Sequence, residues 1–355
     1  MGFELSFRAS PTITLASRGI LSSRSLHSLI IRSSSVGMTV LVRSFMMTAL
    51  VFFLSLLFLN FSFAARSEKN NLLQEADRAY KQGRTEKSLE LYQKALEADP
   101  QDAAAAQSLG VTYAEKGDWD KAVDALKKAL ALNPNNAEIY VDLSLAYAEK
   151  KDFEKAVSYA QKAVNVAPKK GSSYLTLGLA YEGFGDPQKA VDAYKQGMQT
   201  DPKNSDLYLT LGNLYGKQGS FDEAIEAYEQ AILLNPKNAF AYSNIAYVYE
   251  EKKEEKKAID ALSRATKVNP KDDTIWYDLG AAYSKDGNID KAIECYQKSF
   301  ELNAKFYKAC VSLAMAYEKK RNLEKAAEYY VKAMSLTEEP RLKEAIMRQI
   351  TRTNE

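Results

Sequence analysis

The chain is organised by a 34-residue period that recurs without an insertion along most of its length. Residues 205–238 show one period in full, SDLYLTLGNLYGKQGSFDEAIEAYEQAILLNPKN. Three residue types return at fixed points of the period: tyrosine at Tyr113, Tyr147, Tyr181, Tyr215, Tyr249, Tyr283 and Tyr317, alanine at Ala122, Ala156, Ala190, Ala224, Ala258, Ala292 and Ala326, and proline at Pro100, Pro134, Pro168, Pro202, Pro236 and Pro270. A period held through this many copies predicts a stacked array of small units rather than one compact core. Such an array favours a binding scaffold and leaves its ligand unspecified.

Each period has the apolar spacing of two α-helices. Tyr208, Leu211 and Tyr215 follow one another at intervals of three and four residues, which places them on one helix face. A second series of the same kind covers residues 221–232. Pro236 then ends the second helix, because proline lacks an amide donor and disfavours helical backbone at the residue before it. Each period is therefore predicted to be a helical hairpin.

The residues between the two helices suit helix ends. Gly219 fits the end of the first helix, and Ser220 fits the start of the second. The residues equivalent to Ser220 in other periods are Asp118, Asp152, Asp186, Asn288 and Asn322, with Glu254 as a weaker starter.

Small residues recur where the two helices of a hairpin are predicted to cross. Gly178 and Gly212 lie in first helices, and Ala224 lies in a second helix. Small side chains let two helix axes approach closely, while the large tyrosines and leucines nearby fill the space around them. The crossing is therefore predicted to be tight and intolerant of larger side chains.

The pattern resembles the tetratricopeptide repeat. The resemblance is carried by the 34-residue period and the series Tyr208-x-x-Leu211-Gly212-x-x-Tyr215…Ala224-x-x-x-Tyr228-x-x-Ala231…Pro236. It covers residues 69–338 in eight repeats, with departures mainly in the terminal ones. The family resemblance implies an all-α fold, a right-handed superhelical solenoid of stacked antiparallel helix pairs.

A final helix is predicted to cover the end of the array. Residues 339–355 include Pro340 and then RLKEAIMRQITRTNE, with Leu342, Ile346 and Ile350 at intervals of four. A terminal repeat has only one neighbour, so its exposed apolar face needs a helix with a polar outer side. We interpret this segment as a C-terminal capping helix.

An apolar segment precedes the repeats. Residues 38–64 begin at Met38, carry Arg43, and continue into an apolar run of 15 residues over 45–59, followed by small residues at 62 and 64. This order is typical of a secretory signal peptide. The run is shorter than the ~20 residues that span a bilayer comfortably. An uncleaved membrane anchor and a buried helix of the fold are the alternatives, and residues 65–68 are predicted to be a linker.

Residues 1–37 form a leader with ten serines, four arginines and one acidic residue, Glu4. Its simplest interpretation is a misassigned start upstream of Met38. The alternative is an organelle transit peptide, because such peptides are rich in serine and arginine and poor in acidic residues. The sequence thus predicts export to the periplasm or anchoring on the outer side of a membrane, with organelle targeting as the alternative. The membrane is contacted only through the N-terminal apolar segment.

Charge and reactive side chains argue against several functions. The chain has 48 basic and 46 acidic side chains, of which five and one lie in residues 1–64, so the array is nearly neutral. A surface of this kind gives no electrostatic footprint for nucleic acid. The only histidine, His27, precedes the repeats, which removes histidine-based catalysis and histidine metal ligands from the array. Cys295 and Cys310 lack CxxC spacing and are predicted to be small buried residues, with a disulfide as the alternative.

The family resemblance implies a concave groove lined by the first helices, where a partner binds. The groove positions of successive repeats are mostly apolar and comprise Val111, Val141, Leu145, Leu175, Leu179, Leu209, Asn213, Tyr247, Tyr277, Val311 and Met315. A contiguous exposed apolar strip marks an interaction surface. The predicted rim consists of Glu115, Glu149, Glu182, Glu250 and Glu251, with Lys217, Lys285 and Lys319 among them. The alternative is that some of these residues pack within or between hairpins.

We therefore expect a non-enzymatic scaffold that binds a segment of a protein or peptide partner in the groove, and no cofactor or metal. The apolar anchors and acidic rim would suit a partner segment with basic flanks. Family members that clamp a terminal carboxylate use lysine, arginine and asparagine at these positions, where this chain has mainly valine and leucine. Two alternatives stay open: a regulatory or substrate-recruiting subunit of an envelope enzyme or assembly, and an enzyme in its own right.

Overall fold

The computed structural model describes residues 47–48 and 67–354, and the regular structure of those residues is entirely helical. The predicted leader and the linker residues 65 and 66 lie outside the described residues, as does the apolar segment apart from residues 47 and 48. No helix in the described part of the chain combines the length and the apolar character needed to cross a bilayer. The chain divides into two compact units, Met1–Pro100 and Gln101–Glu355.

Helices alternate with short turns along both units. In the first unit, α1 covers 67–81 and α2 covers Thr85–Ala98, which form repeat 1. The first helices of repeats 2 to 8 in the second unit are α3 (Ala103–Glu115), α5 (Ala137–Glu149), α7 (Gly171–Phe184), α9 (Ser205–Gln218), α11 (Ala239–Glu251), α13 (Asp273–Lys285) and α15 (Tyr307–Lys319). Their second helices are α4 (Trp119–Leu132), α6 (Phe153–Val166), α8 (Pro187–Thr200), α10 (Phe221–Leu234), α12 (Glu255–Val268), α14 (Ile289–Leu302) and α16 (Leu323–Leu336). The chain ends in α17 (Pro340–Asn354).

The packing order of the second unit follows the sequence. The two helices of each repeat pack on each other, and each second helix packs on the first helix of the next repeat. Several first helices also contact the first helix of the next repeat, as α5 does with α7 and α7 with α9. The prediction of an all-α array of stacked helix pairs is thereby confirmed.

Helix ends lie where the turn residues predict them. The side chains of Asp186 and Asn322 accept hydrogen bonds from the backbone N–H three residues on, at 3.2 and 3.1 Å, which caps α8 and α16. Gly219 ends α9 with φ +77°, in the left-handed region that glycine enters without a steric penalty. Ser220 precedes α10 as predicted but makes no side-chain capping bond.

The tight helix crossing predicted from small residues is present in the core. A Cβ atom built on Gly212 would lie 2.8 Å from Cδ1 of Tyr228, and Ala224 is fully buried between the same helices. Cys295 and Cys310 are both buried and free. Burial raises the pKa of the Cys295 thiol to about 12 and that of Cys310 to about 11, which leaves both thiols protonated at neutral pH.

The predicted capping helix corresponds to α17, which packs on α16. Ile346 is buried against the core that Tyr317 and Tyr330 of repeat 8 contribute to, and Ile350 is partly buried there. The side chain of Leu342 lies outside the described residues. Burial of apolar residues spaced by four is what a cap over the last hairpin requires.

Candidate interaction surface

The predicted groove residues fall into two groups that differ in burial. The first group occupies one position in the first half of the first helix and is half-buried: Val141, Leu175, Leu209, Tyr277 and Val311. The ring of Tyr277 shows why, because its centroid lies 5.5 Å from that of Tyr296 and 5.1 Å from that of Phe306. Tyr277 thus packs within its own hairpin and against the start of the next one. Packing within or between hairpins is the alternative that the sequence left open for part of the groove.

The second group lies four residues further along each first helix and faces solvent. It comprises Leu145 (43% exposed), Leu179 (41%), Tyr247 (60%) and Met315 (51%), which we call the exposed row. Exposure of large apolar side chains at one repeat position on several first helices is a non-random arrangement. Single exposed apolar residues need no explanation, whereas a row of them marks an interaction site.

Phe240 extends the exposed row in repeat 6 and is not among the predicted groove residues. Its side chain is 70% exposed at the start of α11, seven residues before Tyr247 and therefore on the same helix face. The signal was available in the sequence, because the other repeats carry small or polar residues at this position, such as Glu138 and Asp206. Repeat 6 thus presents two exposed aromatic rings on one face of a single helix.

Polar residues interrupt the row in repeat 5. The side-chain oxygen of Asn213 accepts hydrogen bonds from the Tyr228 hydroxyl at 2.9 Å and from Nδ2 of Asn244 at 2.8 Å. Asn213 is therefore occupied within the array and connects repeats 5 and 6. Val111, at the same position in repeat 2, is half-buried. The apolar character of the surface is concentrated in repeats 3, 4, 6 and 8.

Ion pairs neutralise part of the predicted acidic rim. Glu182 accepts hydrogen bonds from the Tyr194 hydroxyl at 2.6 Å and from Nζ of Lys217 at 3.1 Å. Glu250 forms an equivalent ion pair with Lys285 of the next repeat. Each pair joins the first helices of consecutive repeats, so these acids bind within the array. Other predicted rim acids, such as Glu149 and Glu251, are exposed.

Two carboxyl groups lie partly buried between first helices. Burial raises the pKa of Asp142, although Nε2 of Gln107 donates a hydrogen bond to it at 2.7 Å. Burial, together with the carboxylates of Glu250 and Asp272, raises the pKa of Asp278 to about 6. The hydrogen bond from Gln107 places Asp142 at the contact between repeats 2 and 3.

A cavity of about 440 Å³ lies at the end of the exposed row, between repeat 8 and the capping helix. Met315, Glu318, Tyr330 and Gln349 contribute to its lining, and the Tyr330 hydroxyl donates a hydrogen bond of 3.0 Å to Glu318. Within residues 47–48 and 67–354, no cluster of three or more histidine, cysteine, aspartate or glutamate residues is arranged to hold a metal ion. The cavity beside Met315 and Tyr330 is suited to burying apolar side chains of a ligand.

Three known protein families match stretches of the repeat array. Residues 146–347, more than half of the chain, match the family described as the cilia and flagella-associated protein 70 C-terminal domain, a tetratricopeptide repeat domain. Residues 73–137 and 113–178 match two further tetratricopeptide repeat families. A comparison with curated proteins finds no match.

Solved structures of repeat proteins are similar to the chain. The crystal structure of MamA is 34% identical, with 45% of this chain and 94% of MamA covered and a TM-score of 0.43. Cut9 in the crystal structure of the APC/C hetero-tetramer Cut9-Hcn1 is 20% identical, with coverage of 80% and 55% and a TM-score of 0.50. PilF of Pseudomonas aeruginosa is 16% identical, with coverage of 60% and 97% and a TM-score of 0.50. At these identities the last two likenesses concern the fold alone. The family matches, of which one spans more than half of the chain, show that this chain belongs to the tetratricopeptide repeat family.

Proposed function

We propose that repeats 2 to 8 form a non-enzymatic scaffold that holds a segment of a partner protein along the exposed row. The observation that carries the proposal is the exposure of Leu145, Leu179, Tyr247 and Met315 at one repeat position, where each is between 41% and 60% exposed. Apolar side chains of a bound segment would remove these surfaces from water, which favours association by about 25 cal/mol for each Å² buried.

Repeat 6 supplies the strongest anchor of the proposed surface. Phe240 and Tyr247 together offer two aromatic rings, and aromatic residues are enriched among those that dominate binding energy. On the same helix, Glu250 forms an ion pair with Lys285 that joins α11 to the first helix of repeat 7. A surface whose backbone is already fixed loses less entropy when a ligand binds.

The partner segment is expected to be amphipathic, with apolar side chains toward the row. Exposed acids near the row, including Glu149 and Glu251, favour basic residues at the flanks of the segment. Because Glu182 and Glu250 are already paired with lysines, this electrostatic preference is weaker than the sequence alone indicates. Apolar contact is the main source of affinity in this proposal.

The test is site-specific photo-crosslinking in the native cell. A photoreactive phenylalanine analogue replaces Leu179 or Tyr247 in the full-length chain, and the crosslinked peptide is identified by mass spectrometry. The matched control carries the analogue at Leu233, a leucine of α10 that is 72% exposed but lies outside the row. We expect both row positions to crosslink one segment of the same partner protein, while Leu233 does not.

Two results would contradict the proposal. Crosslinks from Leu233 to the same segment would show that exposure alone, rather than the row, determines capture. Crosslinks from the row positions only to small-molecule metabolites would indicate a different ligand class. A double Leu179→Glu and Tyr247→Glu variant that retains partner capture would also exclude the row as the binding surface.

The compartment of the scaffold belongs to the same proposal. The order of residues 38–64, with Arg43 before the apolar run and small residues after it, supports export from the cytosol, with the repeats on the far side of a membrane. N-terminal sequencing of the mature protein tests this directly. A mature terminus just after residue 64 would indicate a cleaved signal, and a chain that starts at Met38 would indicate an anchor.

A further inference from the structure

One position on the second helix lies next to the recurring tyrosine of the first helix, and its side chain differs in size between repeats. The position is occupied by Tyr159 in α6 and Tyr329 in α16, but by Ala227 in α10 and Ala261 in α12. These residues are separated by multiples of 34, so they occupy equivalent places in their repeats. The other repeats of the second unit have Ala125, Ala193 and Cys295 at this position, so within this unit only repeats 3 and 8 carry a ring there.

Where the position is tyrosine, its ring stacks on the tyrosine that recurs in the first helix. The centroids of Tyr159 and Tyr147 are 5.4 Å apart and the ring planes differ by 6°. Tyr329 stacks on Tyr317 in the same way, with centroids 5.6 Å apart and planes 9° from parallel. Nζ of Lys162 lies 5.0 Å from the centroid of the Tyr159 ring. Stacked aromatic pairs at this spacing are mutually attractive.

In repeats 5 and 6, where the position is alanine, an open cavity lies at the boundary with the preceding repeat. The Ala227 pocket has a volume of about 290 Å³, and Met198, Tyr208, Leu211 and Tyr215 contribute to its lining. The Ala261 pocket has a volume of about 440 Å³, and its corresponding residues are Ile232, Tyr242, Ile245 and Tyr249. Each residue of the second set follows its counterpart by 34 positions, so the repeat produces the same pocket twice in succession.

Both pockets lie away from the exposed row. An α-helix turns about 100° per residue, which places Tyr242 and Tyr249 on the side of α11 opposite to Phe240 and Tyr247. The pockets are bounded by second helices as well as first helices, whereas the row lies on first helices alone. They are therefore a second surface, separate from the one to which partner binding is assigned above.

The Ala227 pocket differs from the equivalent places in a further respect. In repeats 2 to 4 and 6 to 8, a lysine on the second helix covers the recurring tyrosine ring at 5.1–5.6 Å: Lys121, Lys155, Lys189, Lys257, Lys291 and Lys325. In repeat 5 this residue is Glu223, beside Tyr215, and Glu226 also lines the pocket. Lys195 also lines the pocket, so the two acids leave one net negative charge there, which favours a ligand that carries a positive charge next to its apolar group.

We propose that the Ala227 and Ala261 pockets each receive an aromatic side chain of a partner protein, in the place that Tyr159 and Tyr329 fill within their own repeats. The stacked tyrosines of repeats 3 and 8 show which chemical group the place accepts: a planar ring lying on the recurring tyrosine. The pockets belong to consecutive repeats, so a single partner segment carries two aromatic residues, and a basic residue next to the one that enters the Ala227 pocket.

The experiment uses N-acetyl-L-tyrosine amide as the probe and N-acetyl-L-alanine amide as its control. The full-length chain is labelled with ¹³C in the alanine methyl groups, and the methyl spectrum is followed during titration. We expect saturable shifts of the Ala227 and Ala261 methyl signals with the tyrosine probe, at least tenfold weaker with the alanine probe. The variants Ala227→Tyr and Ala261→Tyr each remove one alanine methyl signal, which assigns the two signals. Each variant also fills one pocket, so calorimetry should show one binding event for the tyrosine probe instead of two.

Tyr159→Ala is the reciprocal variant. It opens an equivalent pocket in repeat 3. The methyl signal of the new alanine should therefore shift when the tyrosine probe is added. The probe should also raise the melting temperature of this variant more than that of the original chain. Probe binding that survives the double filling by Ala227→Tyr and Ala261→Tyr would overturn the proposal. So would equal responses to the two probes, or the absence of saturable shifts at both methyl groups. Self-association that is lost in Ala261→Tyr would assign the pockets to a second copy of this chain instead of a partner protein.

Discussion

Gly178 of α7 lies directly against the ring of Tyr194 in α8, so that a Cβ atom added to the glycine would be 2.2 Å from Cε1 of the tyrosine. Tyr194 is fully buried, and its hydroxyl donates a hydrogen bond of 2.6 Å to Glu182. The ring is therefore fixed both by packing and by its polar end. The missing side chain at position 178 is what allows the two helices of repeat 4 to approach this closely.

Gly178→Ala should destabilise the array despite the better helix propensity of alanine. Overpacking of a fixed core costs about 1–3 kcal/mol, whereas the exchange of glycine for alanine in a helix interior gains about 1 kcal/mol. The free energy of unfolding in urea is the measurement. Gly216→Ala is the matched control, because the nearest atom to its Cβ would be 3.7 Å away and only the helix gain should appear. Equal effects of the two variants would refute the steric explanation.

Lys253 is a position where the array can be stabilised. It follows α11 with φ +60°, where Gly219 and Gly185 stand at corresponding turns of repeats 5 and 4. A side chain in the left-handed region costs about 1–2 kcal/mol, and glycine avoids this cost although it loses more entropy on folding. Lys253→Gly should therefore raise the unfolding free energy by about 0.5–1 kcal/mol. Gly219→Lys, the reverse exchange one repeat earlier, should lower it; a gain in stability there would contradict the prediction.

Much of the fold was readable from sequence because the information is local and repeated. The turn at Gly219 and the cap at Asp186 each depend on a residue and its neighbours within four positions. The alanines equivalent to Ala224 and the tyrosines equivalent to Tyr215 then indicate the buried helix faces in every period separately. The stacking order needed no long-range inference, since each hairpin packs on the next one in the chain.

The interaction surface was less predictable because it depends on contacts between repeats. Leu175 and Leu179 look equivalent in sequence, yet only Leu179 is exposed, since Leu175 packs against the core at the boundary between repeats 4 and 5. The ion pair of Lys217 with Glu182 joins residues 35 positions apart and depends on how neighbouring first helices are rotated. The period alone does not specify that rotation. Phe240 could have been found as the one large apolar residue in a polar column of the repeats.

Asp278 should make stability fall as pH rises from about 4 to about 6. Burial raises the pKa of its carboxyl to about 6 in the folded chain, from an ordinary value of 3.8, so between these values the folded state holds a proton that the unfolded state has lost. The free energy of unfolding therefore decreases with rising pH over that window, and the contribution of the protonated Asp278 carboxyl is lost above the folded pKa. Asp278→Asn should remove this slope and raise the unfolding free energy at pH 7 by about 1–2 kcal/mol, after allowance for partial exposure.

The measurement for Asp278 is a series of urea unfolding curves from pH 4 to pH 7. Glu250→Gln provides a second variant, because the Glu250 carboxylate contributes to the raised pKa of Asp278. In that variant the pKa of Asp278 should be lower, so the decrease of the unfolding free energy should end at a lower pH. An Asp278→Asn chain with the same pH dependence as the original chain would exclude Asp278 as its source.

Glutamate at Leu175 and glutamate at Leu179 should have different effects on stability and on partner binding. Leu179 is 41% exposed, so Leu179→Glu should change the unfolding free energy by less than about 0.5 kcal/mol, as surface substitutions do. Leu175 is half-buried against Tyr194 and its neighbours in the core, so Leu175→Glu places a carboxylate next to apolar side chains and should cost several times more. Both variants are measured by urea unfolding and by partner capture at a temperature where both are folded. Loss of capture in the Leu179 variant at unchanged stability would show that this leucine contacts the partner, whereas equal destabilisation by the two substitutions would show that the exposed row is part of the core.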